Sequence, residues 1–235
     1  MRFNTRLSPF SVISFDLDDT LYHNTPVMQA TDIKMIAYFK ALLADKTHSY
    51  DYHFWFPFRQ QALQQDAELI HDVAALRQQS YYLGMQSLGI TSEQAANMAQ
   101  QALEYFVKQR SNFVVPAEIH QLLAKLKKKW PLVAISNGNV DTEQIRLSQY
   151  FTEILHAGNG LKQKPAADMF TIASEKLAVP TKQFLHVGDC GRNDIYGARK
   201  AGCQTAWISS YDVGKPITVL ANIELANVID LQRLL

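Results

Sequence analysis

Apolar residues along this chain fall into short runs, each cut off by polar or glycine residues. Five of them, at 11–15, 132–135, 154–156, 184–187 and 205–208, have the length of strands. Between the later runs lie helical stretches at 142–149, at 166–177 behind Pro165, and at 194–201 closed by Gly202. Strands that alternate with helices predict a parallel sheet. Toward the end, 222–225 reads as an edge strand and 228–235 as a closing helix capped by Asp230.

The spacing breaks once. The first strand ends near Asp16 and the second begins near Leu132, whereas a whole βαβ unit needs only about 30 residues. Pro116 opens a helix with Ile119, Leu122, Leu123 and Leu126 on one face, and Trp130-Pro131 closes it, so this is the crossover helix. What precedes it is an insert, residues 24–112, between the two parts of an α/β core, 1–23 and 113–235. Its pattern is helical: one helix runs from Thr25-Pro26 through Leu43, a second covers 68–88 and stops at Gly89, and a third starts at the capping box Thr91-Ser92-Glu93-Gln94. The fold class is therefore α/β, a Rossmann-like parallel sheet carrying an all-helical cap. An insert that leaves directly after the Asp16 strand emerges at the carboxyl edge, where open α/β sheets bind ligands, and is placed to act as a lid.

Composition narrows the function. Apolar residues make up 47% of the 235 and charged residues 19%, a globular balance. The formal charge is +1 and the only basic run is Lys127-Lys128-Lys129, which reads as a solvated helix C-terminus. No extended basic stripe for nucleic acid is present. No apolar stretch reaches membrane-spanning length, and no signal peptide is indicated. Two cysteines, Cys190 and Cys203, make neither a disulfide framework nor a zinc site. A cytoplasmic monomer or homodimer acting on a small molecule is expected.

The candidate chemistry sits at the strand ends. Asp16 and Asp18 flank Leu17 just beyond the first strand, a spacing that suits an aspartate nucleophile beside a metal with a second acid handling protons. Ser136-Asn137-Gly138-Asn139 offers a hydroxyl, an amide and backbone N–H groups to phosphate oxygens. Lys164-Pro165 puts a cation before a helix start. Gly188-Asp189-Cys190-Gly191-Arg192-Asn193-Asp194 supplies further acids; magnesium prefers oxygen, and Asp16 with Asp189 would hold it while Cys190 points away. Each cluster alone is also an ordinary turn or helix start, but all four fall at strand ends.

With Asp16-Leu17-Asp18-Asp19-Thr20, Ser136-Asn137-Gly138, Lys164-Pro165 and Gly188-Asp189 to Asp194 in this order, the chain resembles the phosphatases of the haloacid dehalogenase superfamily. The resemblance implies that Asp16 attacks phosphorus to give an aspartyl-phosphate, and that Asp18 protonates the leaving oxygen and then activates water. Asp18 would also lend its backbone carbonyl to Mg2+, which Asp16 and Asp189 ligate and Asp194 supports through water, with Asn193 behind them. Ser136, Asn137, Gly138 and Lys164 would hold the transferring phosphoryl group. The superfamily's dehalogenases keep the nucleophile and lack the second acid, so Asp18 argues for a phosphatase. The stretches 130–139, 175–180 and 185–189 are similar to bacterial flavin mononucleotide phosphatases, which also act on the phosphorylated ribitylaminouracil of riboflavin synthesis. Sugar phosphates and nucleoside monophosphates are the alternative substrates, and an inert phospho-ligand-binding protein is the alternative of another class.

Four further features lie outside these motif roles. Tyr50 to Phe58 packs six aromatics into nine positions, either a platform for a planar substrate, a cap core or a dimer contact. Tyr22 and His23 are placed to line the entrance. Asp19 reads as a carboxylate bonding nearby amides, and His186 as a core histidine with a hydrogen-bonded ring.

Overall fold

A computed structural model describes residues 1–44, 47–211 and 215–235. These residues cluster into two compact units. The first comprises Met1–Asn24, Val114–Gly138 and Thr142–Leu235, the second Thr25–Phe113 with Asn139–Asp141.

The first unit is built on seven strands: β1 Arg2–Phe3, β2 Val12–Phe15, β3 Leu132–Ser136, β4 Glu153–His156, β5 Phe184–Gly188, β6 Gln204–Ile208 and β7 Ile223–Leu225. They lie in the order β1-β7-β6-β5-β2-β3-β4, all parallel except β1, which runs antiparallel to β7. Every residue of β2, β3 and β5 is buried, which is why these strands read as unbroken apolar runs and not as alternating ones. Register then fixes the site. Phe15 pairs with Ala134 on one side and Val187 on the other, so the chain leaves β2, β3 and β5 at one carboxyl edge, and the Asp16 N–H still donates to Val187 O at 2.9 Å.

The crossover helix, Ala117–Leu126, has Pro116 at its N-cap and buries Ile119, Leu122, Leu123 and Leu126, each worth about 1.5–3 kcal/mol. The helix Asp168–Leu177 buries Met169, Phe170 and Ala173 in the apolar cluster that holds Val12, Val133 and Phe184.

Four expectations for this unit change. Residues 142–149 form turns: Arg146 has φ +58°, and the amides of Leu147 and Ser148 both reach Thr142 O. Ile145 and Leu147 are both buried, and residues two apart cannot share one helix face. β7 is not an edge strand, because β1 pairs outside it. The last helix is 3-10, Val228–Leu234, and its cap is Asn227, whose side chain accepts from Ile229 N, with Asp230 inside the first turn. The stretch 194–201 divides into a π turn, Gly191–Tyr196, and a short helix, Gly197–Lys200.

The second unit contains α1 Asn24–Leu43, α2 Tyr52–Gln65, α3 Val73–Ser87 and α4 Ser92–Arg110, α1 starting one residue ahead of the unit. The sequence signals at Gly89 (φ +82°) and Thr91, whose hydroxyl accepts from Gln94 N, mark the turn between α3 and α4. The helix expected over 68–88 is interrupted: Ala67–His71 is a 3-10 turn, and Asp72 caps α3 by accepting from the amides of Ala74 and Ala75. The aromatic stretch starts α2, with Asp51 as N-cap. Phe39, Tyr50, Tyr81 and Phe106 form the buried middle of the unit, and Asn139 joins it by accepting from Arg110 at 2.7 Å. Among the described residues no helix is long and apolar enough to cross a membrane.

Candidate active site

The loops after β2, β3 and β5, with Lys164, line a cavity of about 210 Å³ that Asp16, Asp18, Ser136, Asn137, Gly138, Lys164, Asp189, Asn193 and Asp194 all reach. Lys164 is 2% exposed and sits at its charge centre. Its ammonium donates to Asp16 Oδ1 at 2.7 Å, Asp194 Oδ1 at 2.7 Å and Ile135 O at 2.6 Å. All three ammonium protons are thereby used.

Asp16, Asp189 and Asp194 are buried and present carboxylate oxygens within 4.8 Å of one another. One lysine cannot neutralise three acids. Burial alone would raise Asp194, but Lys164 and the His186 bond outweigh it and hold its carboxyl well below the usual range. Burial and the neighbouring acids push Asp16 up despite Lys164, and burial with the Asp194 charge pushes Asp189 to about 7. Burial would lower Lys164, yet Asp16 and Asp194 keep it fully charged. The surplus is a local negative charge on closely set hard oxygens, a donor set that fits a divalent cation such as magnesium. Asp194 is the least available ligand, since Oδ1 accepts from Lys164 and His186, and Oδ2 from Cys190 N.

Glycine at 188 is required by that arrangement. A Cβ there would lie 2.3 Å from Asp194 Cγ. Behind the carboxylate, burial keeps His186 neutral; its Nε2–H donates to Asp194 Oδ1 at 3.3 Å, so Nδ1 accepts from the Ser14 hydroxyl at 2.9 Å.

The other motif residues divide into groups facing the cavity and groups that hold it together. Asp18 Oδ1 accepts from the Tyr22 hydroxyl at 2.7 Å, which turns Tyr22 inward, whereas His23 stacks on Tyr211. Asp19, with φ +57°, accepts from Asn24 N. The Asn137 side chain forms a reciprocal pair with the Lys164 backbone, accepting from its N–H at 2.7 Å and donating to its carbonyl at 2.9 Å. It thus fixes the lysine loop. Ser136 Oγ accepts from Gly138 N, which leaves the serine proton free to donate. Cys190 Sγ accepts from Lys215 N. Two further participants were given no role from the sequence, Thr20 although it lies in the first motif and His156 with no local signal at all. Thr20 Oγ1 lies 3.5 Å from Asp16 Oδ2 and 3.4 Å from Asp189 Oδ1, and the His156 ring donates to Gly138 O.

A pair of acids and a buried cation thus meet in one cavity at the carboxyl edge of a parallel sheet, an arrangement found in hydrolases. Residues 10–202 match the model of the haloacid dehalogenase-like hydrolases, and the chain belongs to that family. It is 39% identical over 212 residues, 88% of this chain and 87% of the relative, to the 5-amino-6-(5-phospho-D-ribitylamino)uracil phosphatase YigB of Escherichia coli K12. The N-acylneuraminate-9-phosphatase of Rattus norvegicus shares 29% identity over 43% of each chain. A crystal structure of the 2-haloacid dehalogenase of Pseudomonas syringae pv. Tomato DC3000 superposes with TM-score 0.87 at 27% identity, over 95% of this chain and 97% of that one.

Proposed function

We propose that the chain is a magnesium-dependent phosphomonoesterase acting through an aspartyl-phosphate at Asp16, with a phosphorylated ribitylaminouracil or flavin mononucleotide as substrate. The observation that carries this is the pairing of Asp16 with Lys164 and the acidic surplus around it, in one cavity with Asp18. The likeness to YigB supports the substrate.

Asp16 attacks phosphorus as the ester bond breaks, and the leaving oxygen takes its proton from Asp18. Water then attacks the aspartyl-phosphate, giving that proton's replacement to Asp18 and releasing inorganic phosphate, so Asp16 is regenerated. Lys164 and the Ser136 hydroxyl stabilise charge on the transferring group. Asp16, Asp189 and the Asp18 carbonyl would hold Mg2+, with Asp194 and Asn193 supporting; when bound it neutralises the carboxylate surplus and polarises the phosphoryl oxygens. Residues 1–23 and 113–235 are assigned as the catalytic domain and 24–112 as the cap that selects substrate.

Phosphate release from flavin mononucleotide, the ribitylaminouracil phosphate, nucleotides and sugar phosphates, compared by kcat/KM, tests both levels. Equal rates throughout would defeat the substrate assignment, and no turnover of any ester with Mg2+ would defeat the activity. Asp16→Asn is expected to abolish turnover and keep the fold. The dehalogenase likeness favours halide displacement as a second reading; halide release from 2-haloacids would support it, while Asp18 bonded to Tyr22 is a feature that such chemistry does not use.

A further inference from the structure

The helical unit holds a second cavity, of about 300 Å³, that the phosphoryl chemistry leaves unexplained. Its floor is aromatic and closed. Phe39, Tyr50 and Tyr81 are buried there, with the Phe39 ring 4.4 Å from Trp55 and 4.9 Å from Tyr81. At the cavity wall the pattern changes: Phe56 is 40% exposed and Tyr52 64%, large rings left open to solvent beside a finished core. The aromatic stretch therefore divides between core and cavity wall.

Four charged residues line the same space, of which Asp51 is engaged as the N-cap of α2. Arg77 has partners within the unit, donating to the Tyr81 hydroxyl at 3.3 Å and lying over the Phe106 ring. Asp32 and Arg59 do not. Asp32 is exposed and Arg59 partly buried, and among the described residues neither makes a hydrogen bond or an ion pair, although the Arg77 charge acts on both. An exposed carboxylate and a partly buried guanidinium that spend no hydrogen bond on the protein are open to a ligand in the cavity. Burial raises Asp32 against the pull of the Arg77 charge, and burial with that same charge lowers Arg59.

The two groups specify complementary atoms. An ionised Asp32 only accepts and Arg59 only donates, so the matching ligand presents an N–H and a carbonyl, and the aromatic walls ask that these sit on a flat ring. The volume lies at the lower end of that of small-molecule pockets, suited to a fused ring system. We propose that this cavity binds the heterocyclic ring of a pyrimidinedione-type ligand, Asp32 accepting a ring N–H, Arg59 donating to a ring carbonyl, and Trp55 and Phe56 packing on the ring. That the ring belongs to the substrate rests on the reading under Proposed function.

Riboflavin, which has the ring and no phosphate, is the probe, and quenching of its fluorescence reports stacking. The full-length protein is expected to bind it saturably, and Asp32→Ala and Arg59→Met each to weaken binding about tenfold or more, as loss of a hydrogen bond to a charged group does. Arg59→Lys should recover part of the loss. Phe56→Ala, at a half-open position, is expected to reduce quenching and guards against variants that fail to fold. No saturable binding to the wild type, or affinities within twofold across the variants, would overturn the proposal. Flavin mononucleotide hydrolysis is followed in parallel. Riboflavin binding that depends on Arg59, without hydrolysis, sinks the substrate reading and leaves the pocket; hydrolysis with KM unmoved in every variant sinks the pocket and leaves the enzyme.

Discussion

Replacing Lys164 by Met separates the two tasks of that side chain. The ammonium is buried among Asp16 Oδ1, Asp194 Oδ1 and Ile135 O, all within 2.7 Å, and Met fills much of the same volume without satisfying any of them. Breaking a buried ion pair by removing one partner costs about 3–5 kcal/mol. For a chain of this length that lowers the melting temperature by roughly 6–20 °C, at about 2–4 °C per kcal/mol. Turnover should fall by about 100-fold or more, because charge on the transferring phosphoryl group loses a pre-set cation. The pH dependence identifies the cause. In the wild type Asp194 is depressed, so its stabilisation is present above its unfolded pKa of about 4 and is lost only as pH falls below that. Without Lys164, burial raises Asp194 instead, and the penalty on the variant is relieved as pH drops. The gap in melting temperature should therefore narrow between pH 7 and pH 5. Calorimetry at the two pH values, with phosphate-release kinetics at pH 7, checks both tasks. An equal gap at both pH values, or turnover within tenfold of wild type, would refute the reasoning.

Three more outcomes are expected. Asp16 is raised by burial and by like charges and Asp189 is pushed to about 7, so in the metal-free protein the stability tied to their protons is full below the ordinary carboxylate range, near 4, and is lost as pH rises from there, for Asp189 up to about 7. The gain in melting temperature on adding Mg2+ should then be larger at pH 8 than at pH 6, and a pH-independent gain would count against a carboxylate site. Gly188→Ala places a methyl 2.3 Å from Asp194 Cγ and should destabilise by about 1–3 kcal/mol while lowering kcat at least tenfold, read by melting and steady-state kinetics. Tyr22→Phe removes the 2.7 Å donor to Asp18; kcat should fall about tenfold with KM and melting temperature little changed, and a shift confined to KM would place Tyr22 in binding instead.

What could be read from the chain followed from local rules. Buried parallel strands are continuous apolar runs, crossover helices carry a 3.6-residue stripe, and the acids, the serine and the glycines follow strand ends because the carboxyl edge is where such a sheet presents chemistry. Misreadings arose where distant packing overrode local preference. Residues 142–149 have helix-forming composition, but burying both Ile145 and Leu147 demands turns. The position of 222–225 depended on whether anything paired outside it, and its partner, Arg2–Phe3, lies more than 200 residues away.

By itself, then, the sequence determined the order of elements, the position of the insert and the identity of the reactive groups, since these depend on periodicity and residue chemistry. Tertiary structure alone decided which carboxylates accept from the lysine and where negative charge is left in surplus, because that turns on burial and on separations of a few ångströms between residues such as Asp16, Lys164 and Asp194. It also decided that the Asn137 amide braces Lys164, that Ser14 and His186 stand behind Asp194, and that Asp32 and Arg59 face one cavity. Hydrogen bonds between side chains far apart in the chain leave no spacing for a sequence to show, and only the fold brings their atoms within reach.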